Sequence, residues 1–359
     1  MRSSRYLSIL GFVAVVIAVQ ILTQVGGKEF FLSQLTMAAY YSLVVLGLGL
    51  LMGFAGQISL GHAAFFAIGG YTSAVLTTLD LRPQRAKAFV SVLAKLGIIH
   101  ARPDLYGGTV LTVQPWAAFI IAILLTVVIA FMIGVPVLKL RGHYLAMATL
   151  GFGTIIYSIV LATQQFGAAD GISNVPPFQL LPGLSVSGAS GARVQTYYIA
   201  WGLVAVTMML LINLIDSRVG RALRSIHSAE DAANTMGINT ARYKLNVFVL
   251  SAVLAAIGGV FLTHFNGGIG PSEASIMKSV RYVAIVAVGG MASLWGTLLM
   301  SAILNFLSLR GYFGIFDDAV FGGILILIML FSPEGILRFN LIAVAKQFLK
   351  RSHSSEETS

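Results

Sequence analysis

The chain has 359 residues, of which 57% are hydrophobic and only 10% charged. Soluble domains carry about 25% charged residues, so this composition excludes a soluble fold and indicates a polytopic membrane protein. The formal net charge of +10 is spread over short segments between apolar runs, as in cytoplasmic loops and not as on a nucleic-acid-binding surface; the lack of cysteine excludes disulfides, thiolate metal ligands and cysteine nucleophiles.

A membrane-crossing helix needs about 20 mostly apolar residues. Such runs are expected at 7–25, 30–52, 58–79, 116–138, 144–165, 197–216 and 245–265. Two shorter pieces, 281–291 and 295–309, are split by Gly289-Gly290 and Gly296, and form either one kinked span or a re-entrant pair. A last run covers 318–332. The expected fold is therefore all-α: a polytopic bundle of about ten transmembrane or partly re-entrant helices. The first run follows Arg2 and Arg5 and is longer than the apolar core of a signal peptide, about 7–15 residues. Val25-Gly26-Gly27 is also a poor cleavage site, so a retained span is expected. The expected organisation is an N-terminal span (1–28), one membrane domain (29–337) with a cytoplasmic loop at 217–244, and a basic, polar cytoplasmic tail (338–359).

Charge supports that orientation, because positive residues favour the cytoplasmic side. Arg338, Lys346, Lys350 and Arg351 lie in the tail, Arg218, Arg221, Arg224, Arg242 and Lys244 in the 217–244 loop, and Lys139 and Arg141 between two spans. Both termini are expected in the cytoplasm. Loop 80–114 is basic yet falls outside, and Phe89, Leu93 and Leu96 recur there at helical spacing. It reads as an interfacial amphipathic helix, or else the span count before residue 80 is off by one.

Gly53-Phe-Ala-Gly-Gln-Ile-Ser-Leu-Gly-His-Ala-Ala-Phe-Phe-Ala-Ile-Gly-Gly-Tyr71 places Gly56, Gln57, Ser59, Gly61 and His62 inside an apolar region. Polar side chains at membrane depth face other helices or a water-filled path. These residues are thus pathway candidates, with His62 either a proton relay or a hydrogen-bonding partner of a neighbouring helix. His62 is the one histidine expected well inside a span. Gly49 with Gly53, Ala63 with Ala67, and Gly70 with Ala74 have the small-xxx-small spacing that lets helices approach closely in lipid. The polar residues at Asn266–Pro271 and Glu273–Arg281 form either a substrate site at a helix break or a plain loop and kink. No acidic residue is expected clearly inside a span, which argues against an ion-coupled secondary transporter.

In the 217–244 loop, Ser228 can cap a helix over 229–236 with Asp231 at its third position. Glu230 and Asp231 suit its positive end, and Gly237 is a natural stop. Ala229, Ala232, Ala233 and Met236 follow i, i+3, i+4, i+7 spacing and form a smooth stripe, with Glu230, Asn234 and Thr235 away from it. Such a helix either docks into a groove on another protein or packs back on the bundle.

Asp231-Ala232-Ala233-x-x-x-Gly237 resembles the "EAA" loop of permease subunits in bacterial ABC importers, with Asp in place of the first Glu. Gly53–Tyr71 is similar to the branched-chain amino-acid permeases of the LivH/LivM type. So are Gly237-Ile-Asn-Thr-Ala-Arg-Tyr-Lys244 running into Phe248–Gly259, Val288-Gly-Gly-Met-Ala-Ser-Leu-Trp-Gly296, and Phe331-Ser-Pro-Glu-Gly-Ile336. The resemblance covers roughly residues 35–340. It implies a multi-pass subunit of a bacterial inner-membrane ABC importer that passes leucine, isoleucine or valine inward. It further implies that Glu230, Asp231, Ala232, Ala233 and Gly237 belong to a helix coupled to the ATPase. The implied partners are a second, LivH-like permease, two ATPase subunits, a periplasmic amino-acid-binding protein and membrane lipid. No G-x-x-x-x-G-K-[ST] loop occurs in the chain, so ATP and Mg are expected in the partners and no cofactor in this one. A urea or short-amide permease and an ion-coupled secondary transporter are the alternative readings.

Overall fold

The computed structural model describes residues 2–82, 99–103, 109–140 and 142–331. The amphipathic helix expected around 89–96, Arg141 and the tail at 338–359 lie outside the described residues. The same is true of nearly all of the Phe331–Ile336 motif.

Twelve helices occur among the described residues: α1 (Arg2–Val25), α2 (Phe30–Ala55), α3 (His62–Thr78), α4 (Pro115–Val137), α5 (His143–Ala162), α6 (Arg193–Asp216), α7 (Arg218–Ser228), α8 (Glu230–Thr235), α9 (Thr240–Asn266), α10 (Ile276–Gly289), α11 (Leu294–Leu309) and α12 (Asp317–Phe331). The ten expected membrane segments appear as α1–α6 and α9–α12. Six of these, α1, α2, α4, α5, α6 and α9, are long and apolar enough to cross a membrane. The largest revision concerns 58–79. The helix there begins only at His62, because Gly56 takes a left-handed conformation (φ +67°) that ends α2, and residues 56–61 run non-helically to Gly61.

Strands are few and short. β1 (Ile99–Pro103) and β2 (Thr109–Val113) form an antiparallel hairpin, with Ala101 opposite Leu111. β3 (Ile172–Ser173) pairs antiparallel with β6 (Gly268–Ile269), and β4 (Phe178–Leu181) with β5 (Leu184–Val186). The β3–β6 pair ties the segment after α5 to the end of α9.

The centre of the bundle is α2 against α3 and α9. From Ala38 to Ala55 every residue of α2 is buried. A helix apolar on all sides suits either an interior or a lipid-facing place, and its burial puts α2 in the interior. Helices α1, α4, α5 and α6 are exposed over much of their surface, as expected for lipid-facing spans.

Close backbone approach holds this centre together. A Cβ at Gly259 of α9 would lie 2.0 Å from Phe66 O of α3, and one at Gly69 of α3 would lie 2.5 Å from Ala256 O of α9. Polar pairs in the same order along both helices, His62 with Ser251 and Ser73 with His264, show that α3 and α9 run parallel. On the other side of α2, a Cβ at Gly53 would lie 1.5 Å from Met291 O, in the turn between α10 and α11. Those two helices form a hairpin and not one kinked span. Gly290 (φ +87°) begins the turn, Ser293 Oγ accepts from Gly296 N at 3.1 Å to cap α11, and at the far end Arg281 Nη1 donates to Ser308 Oγ at 2.9 Å.

The α3–α9 contact has a direct test. Gly259→Val must force the two helices apart, and overpacking of this kind costs about 1–3 kcal/mol or more. A Cβ at Gly202 of α6 would meet nothing within 4 Å, so Gly202→Val is the control. Thermal unfolding in detergent should show a clear loss of stability for the first variant and little change for the second.

Candidate functional site

The 217–244 region contains two helices where the sequence suggested one. Ser217 begins α7, its Oγ accepting from Val219 N at 3.1 Å. Gly220, Ala222, Leu223 and Ile226 are buried, while Arg218, Arg221, Arg224 and His227 are not. Arg224 also donates to Ile215 O at 2.7 Å, closing α7 back on the end of α6.

Ser228 does not cap α8. It is the last residue of α7, and its hydroxyl donates to Ser225 O at 3.1 Å. Ala229, in extended conformation, occupies the N-cap position of α8 with no side-chain cap. The end of α8 is as expected: Gly237 (φ +83°) follows it, and Gly237 N and Ile238 N return to Asn234 O and Ala233 O. This is a Schellman arrangement, which satisfies the last carbonyls of a helix.

The alanine stripe is not a single outward face. Ala233 is buried at 4% exposure, whereas Asp231, Ala232 and Met236 are exposed. Glu230 and Asn234, expected away from that stripe, both bond to the start of α9. Glu230 Oε1 accepts from Lys244 Nζ at 2.6 Å, and Thr240 Oγ1 donates to Asn234 Oδ1 at 3.0 Å. Lys244 is nearly buried at the start of α9, so it draws Glu230 down and rolls α8 onto that edge. Between α4, α8 and α9 a cleft of about 500 Å³ opens, lined by Lys139, Glu230, Asn234, Thr240, Arg242 and Lys244 among others.

The glycine-rich break lies against this region. Gly56 is exposed, and a Cβ there would lie 2.9 Å from His227 Nδ1 of α7. Gln57, Ser59, Gly61 and His62 are buried. Leu60 N donates to Thr149 Oγ1 of α5 at 2.9 Å and Ala63 N to Ser279 Oγ of α10 at 3.2 Å, so neighbouring helices satisfy amides around the start of α3. His62 bonds through Nδ1 to Ser59 Oγ at 3.0 Å and through Nε2 to Ser251 Oγ of α9, with Phe65 and Phe248 edge-on to its ring. Both ring nitrogens are thus engaged, Nδ1 within the break before α3 and Nε2 across to α9. Gln57 differs: at 2% exposure, neither of its amide atoms has a partner.

One expectation about buried polar residues needs correction. His62 is not the one histidine deep in a span. His264, in the last turn of α9, is 1% exposed and bonds to Pro176 O at 2.6 Å and Ser73 Oγ at 2.8 Å. No acidic residue is expected clearly inside a span, but one half-buried acidic residue in a turn outside the span helices reaches the central helix. Glu273, in a 3₁₀ turn (Pro271–Ala274) before α10, accepts from Tyr41 OH at 2.9 Å and pairs with Lys278 at 3.0 Å. Tyr41 is the twelfth of the 26 residues of α2, about 16 Å from its start at 1.5 Å per residue. Glu273 therefore sits near the mid-height of the central helix. In sequence it stands in a Gly- and Pro-containing stretch that reads as an external connection, and only its contact with Tyr41 reveals its depth.

Replacing His62 by alanine strands Ser59 and Ser251 in the bundle. A buried polar group left unsatisfied costs about 1–3 kcal/mol. His62→Ala should lower thermal stability by that order, and His62→Asn, which keeps one hydrogen bond, by less; equal stability of all three proteins would remove His62 from the α3–α9 joint.

The family model for the "Branched-chain amino acid transport system / permease component" matches residues 30–330. The LivM permease protein of the high-affinity branched-chain amino acid transport system of Salmonella typhimurium is 29% identical over 324 residues, covering 84% of this chain and 68% of that protein. The corresponding BraD protein of Pseudomonas aeruginosa is 27% identical over 84% of this chain and 93% of its own length. The LivH protein of Escherichia coli strain K12 is 27% identical, with 86% of this chain and 96% of LivH covered. No solved structure gives a significant match.

Proposed function

This chain belongs to the family of branched-chain amino-acid transport permeases, and from that premise we propose that it is the LivM-like subunit of an ATP-driven importer for leucine, isoleucine and valine. The observation that carries the reading is the family match across α2–α12, residues 30–330. Similarity to both LivM and LivH proteins supports a related permease as its immediate partner. Two ATPase subunits bind and hydrolyse ATP with Mg, and a periplasmic binding protein delivers the amino acid. The subunit lies in the bacterial inner membrane with both termini in the cytoplasm. The family match favours neither a urea or short-amide permease nor an ion-coupled secondary transporter.

In this reading α8 transmits closure of the ATPases. Its outward residues, Asp231, Ala232 and Met236, meet the ATPase subunit, while Glu230 and Ala233 hold α8 to its own bundle through the start of α9. Movement of α8 then reaches α9 through the Glu230–Lys244 pair, and the permease pair alternates between outward and inward openings. ATP and substrate act by stabilising one opening over the other.

Partner capture tests the assembly. The tagged chain, purified in mild detergent, should bring down a second, similar permease and P-loop ATPases. Recovery of the chain alone, under conditions that keep a known importer intact, would refute the subunit reading. Coupling is tested by the outward face of α8. Ala232→Arg, at an exposed position, should leave the chain folded and inserted while lowering ATPase co-purification and uptake about tenfold, equivalent to about 1.4 kcal/mol of lost docking energy. Ala233→Arg places a long cation in a buried position and should destabilise the fold of the loop itself, so wild-type uptake by Ala232→Arg is the result that counts against α8 as the coupling helix.

A further inference from the structure

We propose that Lys278 and Glu273 form the membrane-depth site that binds the charged groups of a zwitterionic α-amino acid during passage, Lys278 taking its carboxylate and Glu273 its ammonium. The inference rests on the importer reading and names the residues that reading leaves open.

The geometry is specific. α9 has ended at Asn266 and α10 begins only at Ile276, so the backbone between them is non-helical near the mid-height of α2 apart from the short 3₁₀ turn. Such breaks are tolerated at membrane depth only where they are buried in protein or line a cavity. Lys278 Nζ donates to Glu273 Oε1 and Oε2 at 3.0 and 3.1 Å and to Tyr41 OH at 2.9 Å, and lies 4.4 Å from the centre of the Tyr41 ring. The two charged side chains are not sealed: Lys278 keeps 21% and Glu273 15% of their surface accessible. Two further hydroxyls without partners lie nearby. Tyr282 OH is buried, with its ring 6.3 Å from that of Tyr41, and Tyr71 OH is buried in the apolar cluster that contains Ala274.

A buried ionisable pair is expensive unless each charge is compensated. Here the two compensate each other. An α-amino acid carries one ammonium and one carboxylate on the same carbon, so it can insert between them and exchange each partner for one of like charge. The total charge of the site stays zero, and no uncompensated charge is left in the bundle at any stage. A substrate with a single charge would leave one member of the pair unmatched. Tyr282 and Tyr71 can donate to the incoming carboxylate.

The test is uptake of radiolabelled leucine by the assembled complex in proteoliposomes, with its binding protein inside the assay and recovery of the complex measured alongside. The variants are Lys278→Met, Glu273→Gln and the two together. If the pair only holds the turn in place, the double variant strands no charge and should regain transport. If the pair binds the zwitterion, both handles are gone and it should not. We expect each single variant to lose at least about tenfold in uptake and the double variant to stay as low, with the complex recovered. Wild-type uptake in either single variant, or restoration in the double variant, overturns the site. A wild-type complex that takes up no leucine while energised by ATP overturns the importer reading itself.

Discussion

The backbone contact between α3 and α9 fixes the rest of the structure. In lipid, apolar side chains gain nothing by leaving their surroundings, so helix association depends on close packing and hydrogen bonds. Here both act along one seam. Gly259 and Gly69 let the backbones touch, and two histidines lock the seam at its ends in opposite senses: His62 of α3 reaches Ser251 of α9, and His264 of α9 reaches Ser73 of α3. Because the helices are parallel, α9 extends beyond the start of α3 by the 11 residues from Thr240 to Ser251, about 16 Å. That overhang carries Thr240 and Lys244, the two side chains that hold α8.

The seam also explains why the chain breaks at Gly56–Gly61. α2 runs antiparallel to α9 and is longer than α3, so the connection must leave the helical path to bring His62 level with Ser251. Thr149 and Ser279 then supply from α5 and α10 the acceptors that amides at the break and the start of α3 need. Gly56 brings the same break against His227 of α7, and Gly53 brings α2 against the turn of the α10–α11 hairpin. α7 is thereby in contact with the end of α2, the helix that carries Tyr41, and α2 with the turn that ends α10, the helix that carries Lys278.

The order of the membrane segments was legible because each is an apolar run, most of them long, bounded by Gly, Pro or charge. The break before α3 was not, because Ile58 and Leu60 keep the run apolar and glycines alone do not reveal a φ of +67°. Helix α7 was readable in principle: Val219, Ala222, Leu223 and Ile226 recur at i, i+3, i+4, i+7, but its arginines made it look like a solvated loop. The orientation of α8 could not be read from its own stripe. It is set by Lys244, 14 residues beyond Glu230 in sequence, and a local periodicity carries no information about a distant ion pair. The depth of Glu273 was hidden for the same reason, since its partner Tyr41 is 232 residues away.

The buried polar groups divide by how their partners are arranged. His62 with Ser251, His264 with Ser73, and Ser42 with Ser301 at 3.0 Å are made between packed helices, with little exposed surface. Their bonds cannot change without separating backbones already in contact, so they serve as fixed joints. Lys278 and Glu273 are built differently. One is in the first turn of α10 and the other in the irregular segment before it, both long side chains and both partly accessible. They can rotate apart without moving a helix. Unlike those joints, that pair can exchange partners without unmaking the fold, which is what the proposed site requires.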